Sequence, residues 1–543
     1  MGPAGIFYNK EEFVRDILQL SRDTQFQSLF SCYGPRHPSI AIRHQQNRIL
    51  NLIFALKEEG VLHDCSRIGI IGGSFSALMA AGVISMSSEA ECTLMFEGEK
   101  LLPKLRPDVD LYLSPSLNNN SFGYRFNPKY AGVKQPVFDW HGGTLNTVLK
   151  QWLREYGLLS QTGRIKEVPN FKVEREQIAS IHAKHEILRI ISKEGKSFDY
   201  DILLDASGFE DNLPKFCEET GTYWTGSGLN SEELSNVEIL VSGNGDSGIL
   251  EGLRVSIEGF QHQELEDAFH CFRPIEHILT DQTVEDAWLT ELYAEHGVEH
   301  IGVVHPYLVW WVHEKWFYAN NHGPHDWKPR VLVELFEKIE SNSQLVRVLP
   351  IIENGEIETE NLEKFAWPSY EAQCKFVSSN LDPLIENAVS ERLFSLMAQD
   401  GVQQHVQDTL KYLGWDSRRI ENTIYMNGLT STYMTSGMSR NMIWIASLLH
   451  SLEGVHYFSG KISDIVGCCK ENTTVKFENA PPRNFNRVIV RHGLNSERKT
   501  GGRVANVSSE SFPFGDLFFE TKFKERNKFI ERIRKSRQSL LAT

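Results

Sequence analysis

Apolar residues recur at helical spacing over residues 13–20 and again over residues 48–56, and the Gly- and Pro-bearing run Tyr33-Gly-Pro-Arg-His-Pro38 between them reads as a loop. At Arg67 the pattern changes. Arg67-Ile-Gly-Ile-Ile71 is a short apolar run of strand character, a glycine turn follows it, and Phe75 opens an amphipathic helix. Cys92-Thr-Leu-Met-Phe96 supplies the next strand. Residues 102–140 then lose all period and are rich in Pro, Asn, Tyr and Gly, a length of loop that is usually functional or disordered. The end of that stretch, Pro136-Val-Phe-Asp-Trp-His-Gly-Gly-Thr144, leads into a helix over residues 145–156, with Thr144 or Gly143 at the cap. Residues 173–182 and 186–192 read as strands, and Phe198-Asp-Tyr-Asp-Ile-Leu-Leu-Asp-Ala-Ser-Gly208 as a buried strand that ends in glycine.

This layout recurs. Val237-Glu-Ile-Leu-Val-Ser242 is an apolar strand, Gly243-Asn244-Gly245-Asp246-Ser247-Gly248 a tight turn, and an amphipathic helix follows. Strand-like runs at 455–459, 461–466 and 474–477 lead to Phe485-Asn-Arg-Val-Ile-Val-Arg-His-Gly493, again apolar and again closed by glycine. The pattern predicts an internal duplication, 67–208 and 237–493. A mostly helical, aromatic-rich insertion lengthens the second copy. The expected boundaries are an N-terminal helical segment 1–66, a first dinucleotide-binding domain 67–215, the start of a second at 216–260, the helical insertion 261–450, a return β-meander 451–495 and a C-terminal segment 496–543.

Composition narrows the class. A chain of 543 residues fits two to four domains, and 41% hydrophobic with 23% charged residues fits a globular fold. A net charge of −15 argues against nucleic acid as a partner. No run of roughly 18 apolar residues is present, so no membrane span is expected. The first residues lack a basic region followed by an apolar run, so no secretory signal is expected and the location is taken as cytoplasmic. The eight cysteines include no C-x-x-C pair, which argues for a reducing compartment and against a disulfide reductase. Cys468 and Cys469 are adjacent, and on a strand their side chains point to opposite faces. The segment 521–543 is a basic amphipathic helix that can meet an acidic partner, the protein's own acidic body, or solvent alone.

The candidate chemistry lies in the two turns. Gly72, Gly73, Ser74, Phe75, Ser76 and Ala77 in the first, and residues 243–248 in the second, present backbone N–H groups and a helix N-terminus to a pyrophosphate. Two such units in one chain point to two nucleotides and redox chemistry between them. Glu97, 25 residues beyond Gly72 at the end of the next strand, can hold ribose hydroxyls. No Gly-x-Ser-x-Gly elbow or Walker-type phosphate loop occurs. His305, His313, Glu314, His322 and His325 lack metal-site spacing and read as satisfied histidines among tryptophans, so no metal is assigned.

A dinucleotide turn, an acid after the second strand, a meander ending in a glycine strand and a second dinucleotide turn behind it resemble the FAD-dependent pyridine-nucleotide oxidoreductases with two dinucleotide-binding domains, the plan shared by glutathione-reductase-like enzymes and flavin monooxygenases. Gln45-Gln46-Asn47-Arg48-Ile-Leu-Asn51 and Pro136-Val-Phe-Asp139-Trp140 are similar to segments of a little-studied bacterial subgroup. The resemblance implies an α/β fold of two Rossmann-like three-layer domains with β-meanders. It implies FAD at the first turn, NAD(P)H at the second, and electrons passed to oxygen or a small-molecule substrate. Carried over by residue, Gly72, Ser74 and Ala77 stand at the three glycine positions of the first fingerprint, with Ser74 a departure from glycine. Gly243, Gly245 and Gly248 match the second without substitution, with Asp246 an acid beside the pyrophosphate. Glu97 matches the ribose acid and Gly208 the strand-end glycine. Phe514-Gly515-Asp516 is a remnant candidate for the late Gly-Asp of such sites. Trp140 and His141 are the candidate catalytic pair, a ring to stack on flavin and an imidazole to deliver a proton, against the alternative of a core tryptophan and a capping histidine. Arg48 is a candidate partner for pyrophosphate or a substrate carboxylate, against a plain helix face. Two further readings stay open: an oxidase that binds FAD only, and a non-catalytic dinucleotide-binding sensor or assembly subunit that signals to a protein partner through the helical insertion or the basic C-terminal helix.

Overall fold

The computed structural model describes residues 10–33, 42–103, 105, 111–113, 135–140, 142–181, 186–192, 195–208, 236–275, 278, 394–434, 438, 440–467, 472–491, 504–506 and 524–542. The chain divides into two compact units. One holds residues 8–119, 127–211 and 494–543, and the other residues 1–7, 120–126 and 212–493.

The first unit is built on a five-stranded parallel sheet. In chain order its elements are α1 (Lys10–Ser21), β1 (Leu29–Ser31), α2 (Ile42–Glu58), β2 (Arg67–Ile71), α3 (Phe75–Ser87), β3 (Glu91–Met95), the short strands β4 (Tyr112–Leu113) and β5 (Gly143–Thr144), α4 (Leu145–Ser160), β6 (Ile165–Val168), a meander of β7 (Ile178–Ser180), β8 (Leu188–Ile191) and β9 (Ser197–Tyr200), and β10 (Ile202–Asp205). The sheet order is β1-β10-β2-β3-β6, every pair parallel, with the antiparallel meander as a separate three-stranded sheet. Where sequence predicts one strand over 173–182, a single 3₁₀ turn at Arg175–Gln177 precedes a short β7.

Helix α3 departs from the expected amphipathic pattern. Every residue from Ser76 to Ser87 is buried, because α3 packs on β2 and β3 and also against α2, α4 and the C-terminal helix Lys524–Ala542. A helix covered on all sides can be apolar on all sides. The C-terminal helix spends its apolar face here, with Phe529, Ile530 and Ile533 buried and Arg526 donating to Asn51 Oδ1 at 2.7 Å. Of the three roles read from its sequence, the one realised among the described residues is contact with the protein's own body.

The second unit repeats the plan. Its elements are β11 (Glu238–Ser242), α5 (Asp246–Ser256), α6 (Glu264–Phe272), α7 (Asp400–Leu413), β12 (Thr423–Gly428), α8 (Arg440–His450), β13 (Val455–Ser459), β14 (Ile462–Val466), β15 (Thr473–Phe477), β16 (Arg483–Phe485) and β17 (Arg487–Val490). The parallel sheet runs β13-β12-β11-β17, beside an antiparallel sheet β14-β15-β16. The first unit's β6-β3-β2-β10 has the same order, and its meander likewise precedes the returning strand. Two differences from the sequence reading follow. The range 261–450 is not purely helical, since β12 lies within it and pairs directly with β11. Strand β13 is not part of the meander but the parallel edge of the main sheet. Both strands are short and lie far along the chain from the turn they flank, so local period alone does not place them. Residues 279–393, including the tryptophan-rich run and its histidines, lie outside the described residues.

Candidate functional site

At the first turn β2 ends at Ile71 and Gly72 turns with φ +119°. A Cβ on Gly72 would stand 2.2 Å from the carbonyl oxygen of Ala206, so only glycine fits. Its N–H donates to Met95 O at 2.7 Å, and Ala206 N–H donates to Ile71 O at 2.8 Å, which locks the turn between β3 and β10. Gly73 is packed on Phe96, where a Cβ would meet the Phe96 Cβ at 3.1 Å and its ring at 3.4 Å. Ser74 caps α3, accepting from Ala77 N–H. Its hydroxyl also donates to Ala206 O at 2.7 Å and meets the Tyr33 hydroxyl at 3.1 Å. Tyr33, 3% exposed, follows β1 and is carried there because β1 pairs with β10; burial pushes its phenol up. Tyr33 is a site residue that in sequence reads only as part of a loop. Phe75 packs on Trp152 at 4.2 Å, and Ser76 and Ala77 are buried.

Glu97 is exposed, two residues beyond β3. Gly208 has φ +95° and open space where a Cβ would lie. Three residues earlier, Asp205 is wholly buried at the end of β10. Its carboxylate accepts from the Ser207 N–H (3.1 Å) and hydroxyl (2.6 Å) and from the N–H groups of Val504 (3.0 Å) and Ala505 (2.8 Å). Asp23 accepts from Asn506 N–H at 2.6 Å and from Arg175, whose guanidinium also donates to Val504 O at 2.7 Å. Asp205 and this clasp were also missed from sequence, since the partners lie far along the chain.

Arg48 is placed otherwise than expected. It is buried, with Nε on Cys32 O at 2.9 Å and Nη2 on Ser21 Oγ at 3.3 Å, and burial brings its guanidinium down to about 9. It supports the end of β1 that carries Tyr33. The two segments that carried the subgroup resemblance do meet: Gln46 donates to Phe138 O at 2.9 Å and Gln135 to Asn47 at 3.2 Å. Trp140 is 2% exposed and edge-on to Trp152 at 5.5 Å, a core position rather than a stacking platform. His141, Cys468, Cys469 and Phe514-Gly515-Asp516 lie outside the described residues.

The second turn has the same backbone. Gly243 has φ +114°, its N–H donates to Asn427 O at 2.8 Å, and a Cβ on it would stand 2.1 Å from Arg491 O. Arg491 N–H donates to Ser242 O at 2.6 Å, as Ala206 does in the first unit. A Cβ on Gly248 would stand 1.7 Å from Gly243 O, the close helix–strand approach expected of a third glycine. Gly245, at the α5 cap, has nothing within 4 Å of its missing side chain. Asn244 donates to Thr430 Oγ1 at 3.2 Å. Asp246 and Ser247 are half-buried in the first turn of α5, and desolvation pushes the Asp246 carboxyl up to about 7. Behind the turn, Glu251 and Arg491 form a buried ion pair at 2.8 Å, with Arg254 at 3.4 Å from the same carboxylate. His262 sits beside Arg254, and burial with that charge brings it down to about 3.

No family model matches the chain, and no curated protein matches it. Among solved structures, an HOCl-induced flavoprotein disulfide reductase from Escherichia coli is 13% identical over 35% of this chain and 26% of its own, with a TM-score of 0.17. A flavin monooxygenase from Stenotrophomonas maltophilia is 15% identical over 35% of this chain and 55% of its own, with a TM-score of 0.24. OTEMO in complex with FAD and NADP is 9% identical over 82% of this chain and 73% of its own, with a TM-score of 0.34. The chain thus spans about a quarter and about half of the first two. Among the described residues, no helix is long and apolar enough to cross a membrane.

Proposed function

We propose that the chain is an FAD-dependent oxidoreductase that accepts hydride from NAD(P)H and passes electrons to oxygen or a small-molecule substrate. The observation that carries this reading is the pairing of two glycine turns, Gly72 and Gly243. Each has positive φ, each is closed against the carbonyl of the residue after a returning strand, and each opens a helix at the carboxyl end of a parallel sheet. That is the edge of an α/β sheet where nucleotides bind.

The residues present fit the two groups unequally. At the second turn, the bare space at Gly245 admits a pyrophosphate against the α5 N-terminus. At the first, Gly72 and Glu97 fit an adenine dinucleotide, while the Ser74 hydroxyl fills the place of the middle glycine. An approaching phosphate takes that hydroxyl as a donor in exchange for Ala206 O. FAD, when bound, supplies an acceptor that takes two electrons as hydride and releases them singly or in pairs. The chain's part is to hold the dinucleotides by backbone N–H groups, to read the ribose through Glu97, and to seal the first turn with Tyr33.

An anaerobic visible spectrum of the purified protein, before and after NADPH and NADH, tests the reading. A flavin spectrum that bleaches is expected. One that persists supports the FAD-only oxidase. The Tyr33–Ser74–Ala206 hydrogen bonds over the first turn favour a second reading, a dinucleotide-binding sensor or assembly subunit. A protein that stays colourless after incubation with FAD selects that reading.

A further inference from the structure

Residues 135–140 lie against α2, α3 and α4 and, Asp139 apart, are buried, yet they make no backbone–backbone hydrogen bond to another described residue. Side chains hold them instead. Gln46 Nε2 donates to Phe138 O at 2.9 Å, Gln135 Nε2 to Asn47 Oδ1 at 3.2 Å, Gln135 N–H to Asp139 Oδ1 at 3.2 Å, and Phe138 N–H to Glu155 Oε1 at 2.8 Å. A segment outside any backbone ladder opens at lower free energy than the strands and helices around it.

Its seat is also costly. Phe138 is held at φ +51°, a backbone that a bulky L-residue rarely adopts. Four side-chain atoms around it, Gln46 Oε1, Gln135 Oε1, Trp140 Nε1 and Trp152 Nε1, are buried without a hydrogen-bond partner among the described residues. Each gains a partner when it meets water. The Phe138 ring is wedged onto α3, 5.9 Å from the ring of Phe75 and so close over Gly82 that a Cβ there would stand 2.8 Å from Phe138 Cε2.

Against these costs stands the Glu155 carboxylate, and the C-terminal helix fixes it. Arg537 donates to Oε1 at 2.6 Å and to Oε2 at 3.1 Å, and the Glu155 and Arg537 side chains are 12% and 26% exposed. Without the guanidinium, a mostly buried carboxylate turns toward water, and the Phe138 N–H loses its acceptor.

We infer that residues 135–140 form a strap with a seated and a released position, and that docking of the C-terminal helix through Arg537 holds it seated. On release Phe138 takes an ordinary backbone, the two indoles and two amides are hydrated, and Phe75 loses the ring that braces the start of α3 behind the first glycine turn. The C-terminal helix is thus a regulatory element that acts on the first turn from within the chain, whichever ligand that turn holds.

Hydrogen exchange of the full chain, read by mass spectrometry across low urea concentrations, tests this in the native protein, Arg537→Ala and Arg537→Lys. In the native protein the amides of residues 137–140 are expected to exchange by local opening, almost independently of urea, while those of β2 follow global unfolding and respond steeply. In Arg537→Ala the amides of 137–140 are expected to exchange about tenfold faster, still without urea dependence. Ala77 and Leu78, whose N–H groups donate to Ser74 O, are expected to speed up with them. Arg537→Lys is expected to restore part of the protection. Raising salt from about 0.1 M to about 1 M is expected to mimic Arg537→Ala in the native protein, because the ion pair is partly exposed; this arm needs no variant to fold. Exchange of 137–140 with the same urea dependence as β2 overturns the inference. So does a speed-up at 137–140 that leaves Ala77 and Leu78 unchanged.

Discussion

Arg537 of the C-terminal helix grips Glu155 of α4 in a fork, Nε to Oε1 at 2.6 Å and Nη2 to Oε2 at 3.1 Å. The same Oε1 accepts the N–H of Phe138 at 2.8 Å. Phe138 is held at φ +51°, an unfavourable backbone for a bulky residue, and its ring meets Phe75 at the start of α3. The C-terminal helix is thereby tied to the first glycine turn through one carboxylate. Arg537→Ala is expected to destabilise the first unit by about 1–2 kcal/mol, the range for a partly exposed charged hydrogen bond. Urea unfolding followed by tryptophan fluorescence measures this, since Trp140 and Trp152 lie beside Phe138 and Phe75.

The Ser74 hydroxyl closes the place of a glycine. Ser74→Gly is expected to tighten FAD binding, with a loss of stability under about 1 kcal/mol because glycine is itself a fair helix cap. Flavin titration by fluorescence quenching, beside a thermal melt, reads both. Weaker flavin binding in the variant would mean that the hydroxyl is a needed phosphate donor.

Gly243→Ala places a methyl carbon 2.1 Å from Arg491 O at a φ of +114°. Loss of nucleotide binding at the second turn is expected, with destabilisation of about 3 kcal/mol or more. Gly72→Ala is expected to do the same at the first turn. Calorimetry with NADP⁺ and with FAD separates the two.

Asp246 titrates near 7 in the folded chain, well above its ordinary value of 3.8, because desolvation disfavours its charge. The native state holds a proton that the unfolded state has released. Stability from this group is therefore full below the unfolded value and falls as pH rises toward 7. Nucleotide affinity follows the same sign, since a charged Asp246 repels the pyrophosphate. Binding is expected to weaken as pH rises from about 6 to about 8, and Asp246→Asn is expected to flatten that profile.

Glu251 and Arg491 are 2% and 4% exposed and 2.8 Å apart. Glu251→Gln leaves a guanidinium buried without its partner, which is expected to cost about 3–5 kcal/mol. Glu251→Leu combined with Arg491→Met is expected to recover most of that loss. Chemical denaturation of the single and double variants gives the coupling.

Some of this was legible in the chain and some was not. The turns at Gly72 and Gly243 could be read because the physics is local: an apolar strand, a glycine that alone tolerates the bend, and a helix start. The parallel α/β character followed from strands alternating with helices. Strand β12 could not be read the same way, since Thr423-Ile-Tyr-Met-Asn-Gly428 is defined by its pairing with β11 and not by its neighbours in sequence. Tyr33 reaches Ser74 only because β1 lies against β10. Arg48 and Trp140 show the converse limit: residue type suggested chemistry, and burial assigned them to the interior.

The clasp at Asp205 has a temporal side. Its two distant donors, the N–H groups of Val504 and Ala505, lie 299 and 300 residues downstream. On the ribosome, β10 therefore emerges long before the segment that satisfies its terminal carboxylate, and residues 212–493 of the second unit are synthesised in between. The first unit therefore completes its hydrogen bonding only after residues 212–493 have been made, and until then water must satisfy the Asp205 carboxylate in place of the Val504 and Ala505 N–H groups.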